Sequence, residues 1–255
     1  MINYGKQFID QSDIKAVIKV LKSSFLTQGP EIVKFEKKLN FFFGAKYCCA
    51  VSSGTAALHL AGIALGWSKG DVVLASPLSF IATSNCIVYS GAKPEFVDID
   101  ENNYNIDLDK LEKKIKTLKR SLKKVVAIIA TDYAGYPCNW IKLKKIALKY
   151  NLRLINDNCH AFGAKFNNDI KYAARYADIV THSYHPVKHI TTGEGGAVLS
   201  NNKKIIVQMK ILRNHGIFKN NNLQNNNIGP WYYEMRKLGY NYRLSDIQCA
   251  LGTTQ

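Results

Sequence analysis

The 255-residue chain is short of several things, and each shortage removes a class of protein. Its 6 cysteines include no C-x-x-C pair, which argues against a cysteine zinc site, and they are too few for a disulfide framework. Scattered thiols of this kind fit a reducing cytoplasm. With 6 prolines and 17 glycines it is neither collagen-like nor of low complexity. No apolar run approaches the roughly 18 residues of a membrane span, and Met1 to Asp10 lacks the apolar core of a signal peptide. Acidic residues are scarce, 19 against 35 basic ones, leaving a net charge of +16. Such a surplus points to nucleic acid, an anionic membrane surface or an anionic small molecule. Coding bias gives the same surplus: Asn220 to Asn222 and Asn225 to Asn227 illustrate a chain crowded with Lys, Asn and Ile, all read from AT-rich codons. Nucleotide loops are missing as well. There is no G-x-x-x-x-G-K-[ST], and no G-x-G-x-x-G follows a strand, so ATP and dinucleotide readings lose their support.

What the chain does have is a 47% hydrophobic content arranged in alternating short runs and helical patterns, which excludes a disordered chain. Ser12 is placed to cap a helix whose apolar face is Ile14, Val17, Ile18 and Leu21. After a turn at Gln28-Gly29, Pro30 suits the first position of a second helix with Phe35, Leu39 and Phe42 inward. Apolar runs follow at Tyr47 to Val51, Val72 to Ala75, Glu95 to Val97, Val125 to Ala130, Arg153 to Ile155, Asp178 to Thr181 and Ala197 to Leu199. Helical patterns at 55–66, 80–91, 107–119, 139–150 and 202–213 separate them. The alternation predicts an α/β fold, a mostly parallel buried sheet sandwiched by helices.

Asp107 to Lys124 carries eight basic residues and resembles a nucleic-acid patch. Yet Leu108, Leu111, Ile115, Leu118 and Leu122 recur at spacings of three and four, which predicts an amphipathic helix with a solvated basic face. No aromatic residues interleave for base stacking, and the remaining lysines are spread along the chain, so a nucleic-acid partner is not expected.

Three places could carry chemistry. Ser52 to Leu58, small residues between a strand and a helix, is either a helix cap or a backbone cradle for a phosphate. Asp157, just past the run Arg153 to Ile155, is either a cap or a carboxylate beyond a strand's carboxyl end, where α/β sheets bind ligands; there it could hold a cationic ring nitrogen. The third is Thr181 to His189, with His182, His185 and His189. Pro186 breaks any helix that would align the histidines, and no His-Glu-x-x-His is present, so no metal is expected. Lys188 precedes the flexible Gly193-Glu194-Gly195-Gly196. A lysine there, with a phosphate cradle and a strand-end carboxylate elsewhere, suggests a Schiff base to pyridoxal phosphate.

Together, Leu26-Thr27-Gln28-Gly29-Pro30, Ser53 to Leu60, Asp157-Asn158-Cys159-His160-Ala161, Ser183 to Lys188, Thr192 to Gly196, Arg213-Asn214-His215-Gly216 and Gly239 to Asp246 resemble the DegT/DnrJ/EryC1/StrS sugar aminotransferases. The resemblance covers essentially the whole chain, in order. It implies the large domain of a fold-type I pyridoxal-phosphate-dependent transferase. Lys188 would hold the cofactor covalently, Asp157 would pair with its ring nitrogen, and Phe80 would stack on the ring. Gly54, Thr55 and Ser183 would hold the phosphate, with His160 near the ring. Asn241 would reach the phosphate of a neighbouring subunit, since family sites are shared across a homodimer. Tyr4, Ser24, Phe25, Leu26 and Thr27 would lie at the substrate.

The implied reaction moves the amino group of L-glutamate to C4 of a UDP-4-keto-6-deoxy-N-acetylhexosamine. Pro230-Trp231-Tyr232-Tyr233-Glu234-Met235 favours the subgroup of pseudaminic acid biosynthesis over GDP- or dTDP-linked substrates of the perosamine or bacillosamine type. Family dehydratases replace the lysine by histidine, and Lys188 is present. The implied organisation is an arm and first helix over 1–30, a cofactor-binding domain over 31–240, and 241–255 as the start of a linker to a smaller C-terminal domain. Family members continue beyond this point, so the sequence reads as shortened, and an inactive relic of the fold is the competing expectation.

Overall fold

The computed structural model describes residues 5–218 and 231–255. The seven apolar runs become β1 (Tyr47–Val51), β2 (Asp71–Ala75), β3 (Lys93–Phe96), β4 (Lys124–Thr131), β5 (Arg153–Asp157), β6 (Ile179–Ser183) and β7 (Gly196–Ser200). They form one sheet in the order β1-β7-β6-β5-β4-β2-β3. Every pairing is parallel except those of β7, which runs antiparallel to both β6 and β1. The carboxyl ends of β1, β4, β5 and β6 therefore open on the same side.

Helices cover both faces, as a sheet buried on both sides requires. Alternation along the strands sorts the core. Leu74, Ile128, Leu154 and Val180 pack toward α2 (Pro30–Phe43), α5 (Leu108–Arg120), α6 (Trp140–Tyr150) and the short α7 (Tyr172–Tyr176). Val73, Ile129, Ile155 and Ile179 pack toward α3 (Gly54–Ala64), α4 (Ala82–Tyr89) and α8 (Lys203–Leu212). Fully burying one such side chain is worth about 1.5–3 kcal/mol, so the two layers supply the main stabilising term. A two-stranded ribbon, β8 (Ile217–Phe218) with β9 (Glu234–Met235), and a last helix, α9 (Asp246–Thr254), complete the described elements.

Helix α1 (Gln11–Leu21) starts one residue before Ser12. Its cap is Asp10, whose carboxylate accepts from the N–H groups of Ser12 and Asp13, while Asp13 answers onto the Asp10 N–H. The expected apolar face is not the buried one. Ile14, Ile18 and Leu21 are exposed, whereas Asp13 and Val20 are buried against α9. The cause is polar: Thr254 and Gln255 both donate to the Asp13 carboxylate and turn that side of the helix inward. In α2 the third inward apolar residue is Phe43, not Phe42, which is exposed at 39% and stacks on Phe162.

The N-cap position of α2 is Gly29, which has no side chain to cap with. Asp246, from the opposite end of the chain, supplies one: its carboxylate accepts from Gly29 N–H at 2.7 Å and Glu31 N–H at 2.8 Å. On α5 the lysines face outward and meet acids, as in Lys110–Asp98, Lys114–Glu95 and Lys116–Glu112, while Asp109 and Glu112 of the same helix take Lys142 and Lys149 of α6. Leu122, expected in the apolar stripe, lies in the turn beyond the helix and is exposed. Among the described residues, no helix is long and apolar enough to cross a membrane.

Candidate active site

Four chain segments meet at the carboxyl ends of the strands. The first is the β1–α3 turn. Ser53 caps α3, its hydroxyl accepting from Ala56 N–H at 3.0 Å, which leaves the N–H groups of the first turn pointing into the opening. Gly54 is small for a reason: a Cβ there would stand 2.8 Å from Cβ of Ser183, at the end of β6. Likewise a Cβ on Gly196 would come within 2.5 Å of the Ser53 carbonyl, so β7 can seat the turn only with glycine at that point.

The second segment is the end of β5, which extends through Asp157. This carboxylate is 3% exposed and accepts from the Thr83 hydroxyl of α4 at 2.7 Å. Among the described residues its other oxygen takes only the Cys159 N–H at 3.3 Å, leaving acceptor capacity toward the cleft. His160, three residues on, keeps a buried Nδ1 without a partner among the described residues. Burial first, and the Lys188 cation next, lower its proton affinity, so the ring is neutral near pH 7. Burial pushes the Cys159 thiol well up, with the nearby Asp157 adding to it, and removes it as a nucleophile.

The third segment is the loop from β6 to β7. Buried Tyr184 pins its base, donating to Gly195 O and accepting from Thr192 N–H and the Thr191 hydroxyl. Lys188 sits half-buried near the tip, where its N–H closes a turn onto His185 O at 2.8 Å. The fourth is the stretch Leu78 to Ala82 entering α4, which presents Phe80, 65% exposed, at the rim.

Together these segments line a cleft of about 470 Å³ that contains Gly54, Thr55, Phe80, Asp157, His160, Ser183 and Lys188. Seven of the residues singled out from sequence thus share one opening. Asn241 is not in its lining; it bridges to Asn214. Ser24, Phe25, Leu26 and Thr27 are not in the lining either. Thr27 bridges to Ser245, and Leu26 O accepts from Asp246 N–H, so this turn belongs to the junction of α2 and α9. Tyr4 lies outside the described residues, as does Pro230. Gly5 packs against Val187, beside Lys188. The three histidines part company: His182 is buried among Phe43, Phe162 and Tyr184, while His185 lines the cleft. Among the described residues no group of three or more His, Cys, Asp or Glu is arranged to hold a metal.

Sequence reading missed Thr83, Tyr133 and Thr131, which also line or support the cleft. Thr83 had one faint signal, a hydroxyl on the face of α4 that is otherwise buried through Ala82, Cys86 and Ile87. Tyr133 had none; it is held at the rim by Asn105, whose amide oxygen accepts the Tyr133 N–H from 28 residues away.

An amine, a buried carboxylate with a free side, and a helix N-terminus facing one opening define a lysine site for a carbonyl compound that bears both an anion and a basic nitrogen. The chain belongs to the DegT/DnrJ/EryC1/StrS aminotransferase family, whose model matches residues 7–255. It is 45% identical over its full length to the UDP-4-amino-4,6-dideoxy-N-acetyl-beta-L-altrosamine transaminase of Campylobacter jejuni subsp. jejuni serotype O:23/36 (strain 81-176), covering 64% of that protein. Among solved structures it superposes on Helicobacter pylori PseC, an aminotransferase involved in the biosynthesis of pseudoaminic acid, with TM-score 0.88 and 34% identity, over 99% of this chain and 64% of that one. Spr1654 of Streptococcus pneumoniae, in its PMP-form, gives TM-score 0.91 and 26% identity, over 100% and 67%. The chain spans just under two thirds of the length of the curated relatives it matches. Aminotransferases of this family use pyridoxal phosphate.

Proposed function

We propose that the chain is the cofactor-binding part of a pyridoxal-phosphate-dependent aminotransferase, which moves the amino group of L-glutamate to C4 of a UDP-4-keto-6-deoxy-N-acetylhexosamine. The observation that carries this reading is the convergence of Lys188, Asp157 and the N-terminus of α3 on one cleft. The residues fit the group. The close Gly54–Ser183 approach leaves backbone N–H groups bare for a phosphate, and Asp157 keeps acceptor capacity for a ring N–H. The unpartnered His160 Nδ1 and the exposed Phe80 ring suit the sides of a flat heterocycle.

When bound, pyridoxal phosphate supplies an electron sink that makes the carbon beside the transferred nitrogen acidic. Asp157, itself shielded from water, would hold a proton on the ring nitrogen by charge pairing. Gly54, Thr55 and Ser183 would hold the phosphate. Lys188 would hold the aldehyde end, and its amine would serve as the base that takes and returns the proton at the substrate carbon. Neutral His160 contributes a hydrogen bond and no charge of its own.

Tyr4 and the turn from Ser24 to Thr27 would meet the nucleotide sugar from outside this cleft, and Asn241 would serve a second subunit of a homodimer. Two observations support the dimer: Asn241 is displaced from its own cleft, and α4 and the turn before it expose Phe80, Ile81, Val88 and Tyr89 together. A cytoplasmic location is part of the same reading, because nucleotide sugars and glutamate are cytoplasmic substrates. Borohydride treatment of the loaded protein should fix a pyridoxyl group on Lys188, detected by peptide mass, and Lys188→Ala should lose both the adduct and the visible absorbance band. An adduct on another lysine, or none, would overturn the assignment. Turnover of UDP-, GDP- and dTDP-linked 4-keto-6-deoxy-sugars with glutamate, read by product mass, then tests the substrate.

A further inference from the structure

Behind the cleft lies a buried carboxylate that the chemistry above leaves without a task. Asp132 follows β4 directly and is fully buried. Five donors converge on it. Oδ1 accepts from Cys138 N–H at 2.8 Å and Trp140 Nε1–H at 3.0 Å; Oδ2 accepts from Asn156 Nδ2 at 3.1 Å, Asn158 Nδ2 at 2.9 Å and the Tyr172 hydroxyl at 2.7 Å. Trp140 and Tyr172 are themselves buried to 0% and 1% exposure, so the hub is walled in by large rigid rings. Burial raises the proton affinity of this carboxyl, and the hydrogen bonds from Cys138, Tyr172, Asn156 and Trp140 oppose that rise.

The two asparagines bracket Asp157. Alternation sends Asn156 and Asn158 to one face of the sheet and Asp157 to the other. Leu154 packs on the α5–α6 side and Ile155 on the α3–α4 side, which fixes the phase. On the α3–α4 side Thr83 holds Asp157; on the opposite side Asp132 grips the residues immediately before and after it. Backbone contacts tie the same point, Asp132 N–H to Asp157 O at 3.3 Å and Asn158 N–H to Thr181 O at 3.0 Å.

We infer that Asp132 is a positioning residue: through Asn156 and Asn158 it fixes the end of β5 so that the Asp157 carboxylate faces the cleft at a set height and angle. The role toward the cofactor rests on the reading of Asp157 as the ring-nitrogen partner. A buried carboxylate serving stability alone gains nothing from having both amide tethers on the neighbours of one cleft residue, and an apolar side chain would fill its place at least as well.

The test uses Asn156→Ala and Asn158→Ala, each cutting one tether, beside Asp132→Asn and a control, Leu111→Ala, on the same face of the sheet. In the cofactor-free chain at one fixed pH, the ¹³C carboxyl resonance of Asp157 should move in each tether variant, because the setting of the carboxylate changes. Pyridoxal phosphate should bind each about fivefold more weakly, the affinity equivalent of one hydrogen bond. Leu111→Ala should lower Tm at least as far and move neither readout. Tether variants that lose Tm with the control, yet keep the parent chain's Asp157 carboxyl resonance and cofactor affinity, would overturn the inference. A moved Asp157 carboxyl resonance in a chain that takes up no borohydride-fixable cofactor on Lys188 would uphold the positioning role and sink the cofactor reading instead.

Discussion

Helices α5 and α1 carry the same kind of apolar stripe and end in opposite situations. On α5, Leu111 and Ile115 are fully buried and the lysines turn outward, Lys110 to Asp98, Lys114 to Glu95 and Lys116 to Glu112. On α1, Ile14, Ile18 and Leu21 lie open, while the buried positions are a valine and a carboxylate. Helical periodicity fixes which residues share a side; it does not fix which side meets the protein. For α5 the sheet decides, because it offers a large apolar surface next door in the chain. For α1 the partner is α9, whose Thr254 and Gln255 recruit Asp13 across more than 240 residues.

Four substitutions sharpen or break that contrast, taken from the largest expected effect to the smallest. Leu111→Ala should cost about 2–5 kcal/mol in denaturant unfolding, because a fully buried side chain on a well-packed face leaves a cavity. The same face holds His182, packed among Phe43, Phe162 and Tyr184, and burial pushes its pKa down to about 3. The folded state keeps this ring neutral while the unfolded state takes up a proton below about pH 6.5. Stability should therefore fall as pH drops through that point toward 3, by roughly 1.4 kcal/mol per pH unit from this one ring. His59 and His160, also lowered by burial, act in the same direction. His182→Phe should make the decline between pH 6.5 and 5 visibly shallower; an unchanged slope would show that the ring reaches water.

On the contrasting helix, Asp13→Ala should cost about 1–3 kcal/mol, since it leaves the Thr254 and Gln255 donors unpaired at a buried site. Ile18→Ser should change stability by no more than about 0.5 kcal/mol. A loss well above that figure would mean that another surface covers the α1 stripe in solution, and the contrast between the two helices would dissolve.

The same division explains what was legible from sequence. The strands and the α5 face could be read because both depend on residues within a few positions of one another. The cleft could be read in part because Gly54, Thr55, Asp157, Ser183 and Lys188 all sit where strands end, and a parallel sheet gathers its strand ends on one side. What escaped depends on distant partners. Ser12 looked like the cap of α1 because it is the nearer hydroxyl, but Asp10 and Asp13 cap each other reciprocally. Phe42 and Phe43 are adjacent, so only the packing of Phe43 against His182 and Phe162 separates them. The turn from Ser24 to Thr27 was read for its chemistry, whereas its contacts are with Ser245 and Asp246. Thr83 had only its hydroxyl on a buried helix face and Asp132 no local signature; their defining partners lie 74 and up to 40 residues away.

The Asp246 cap on α2 has a temporal side. A helix made early in synthesis has its exposed N–H groups satisfied only by a carboxylate made 215 residues later. At the usual 5–20 residues per second, that interval is about 10–40 s, long compared with helix formation itself. The chain's second helix must therefore wait, cradled or frayed, for its own lid to be translated. Limited proteolysis of nascent chains stalled before and after Asp246 emerges should find the Gln28–Glu31 junction cut in the first and protected in the second.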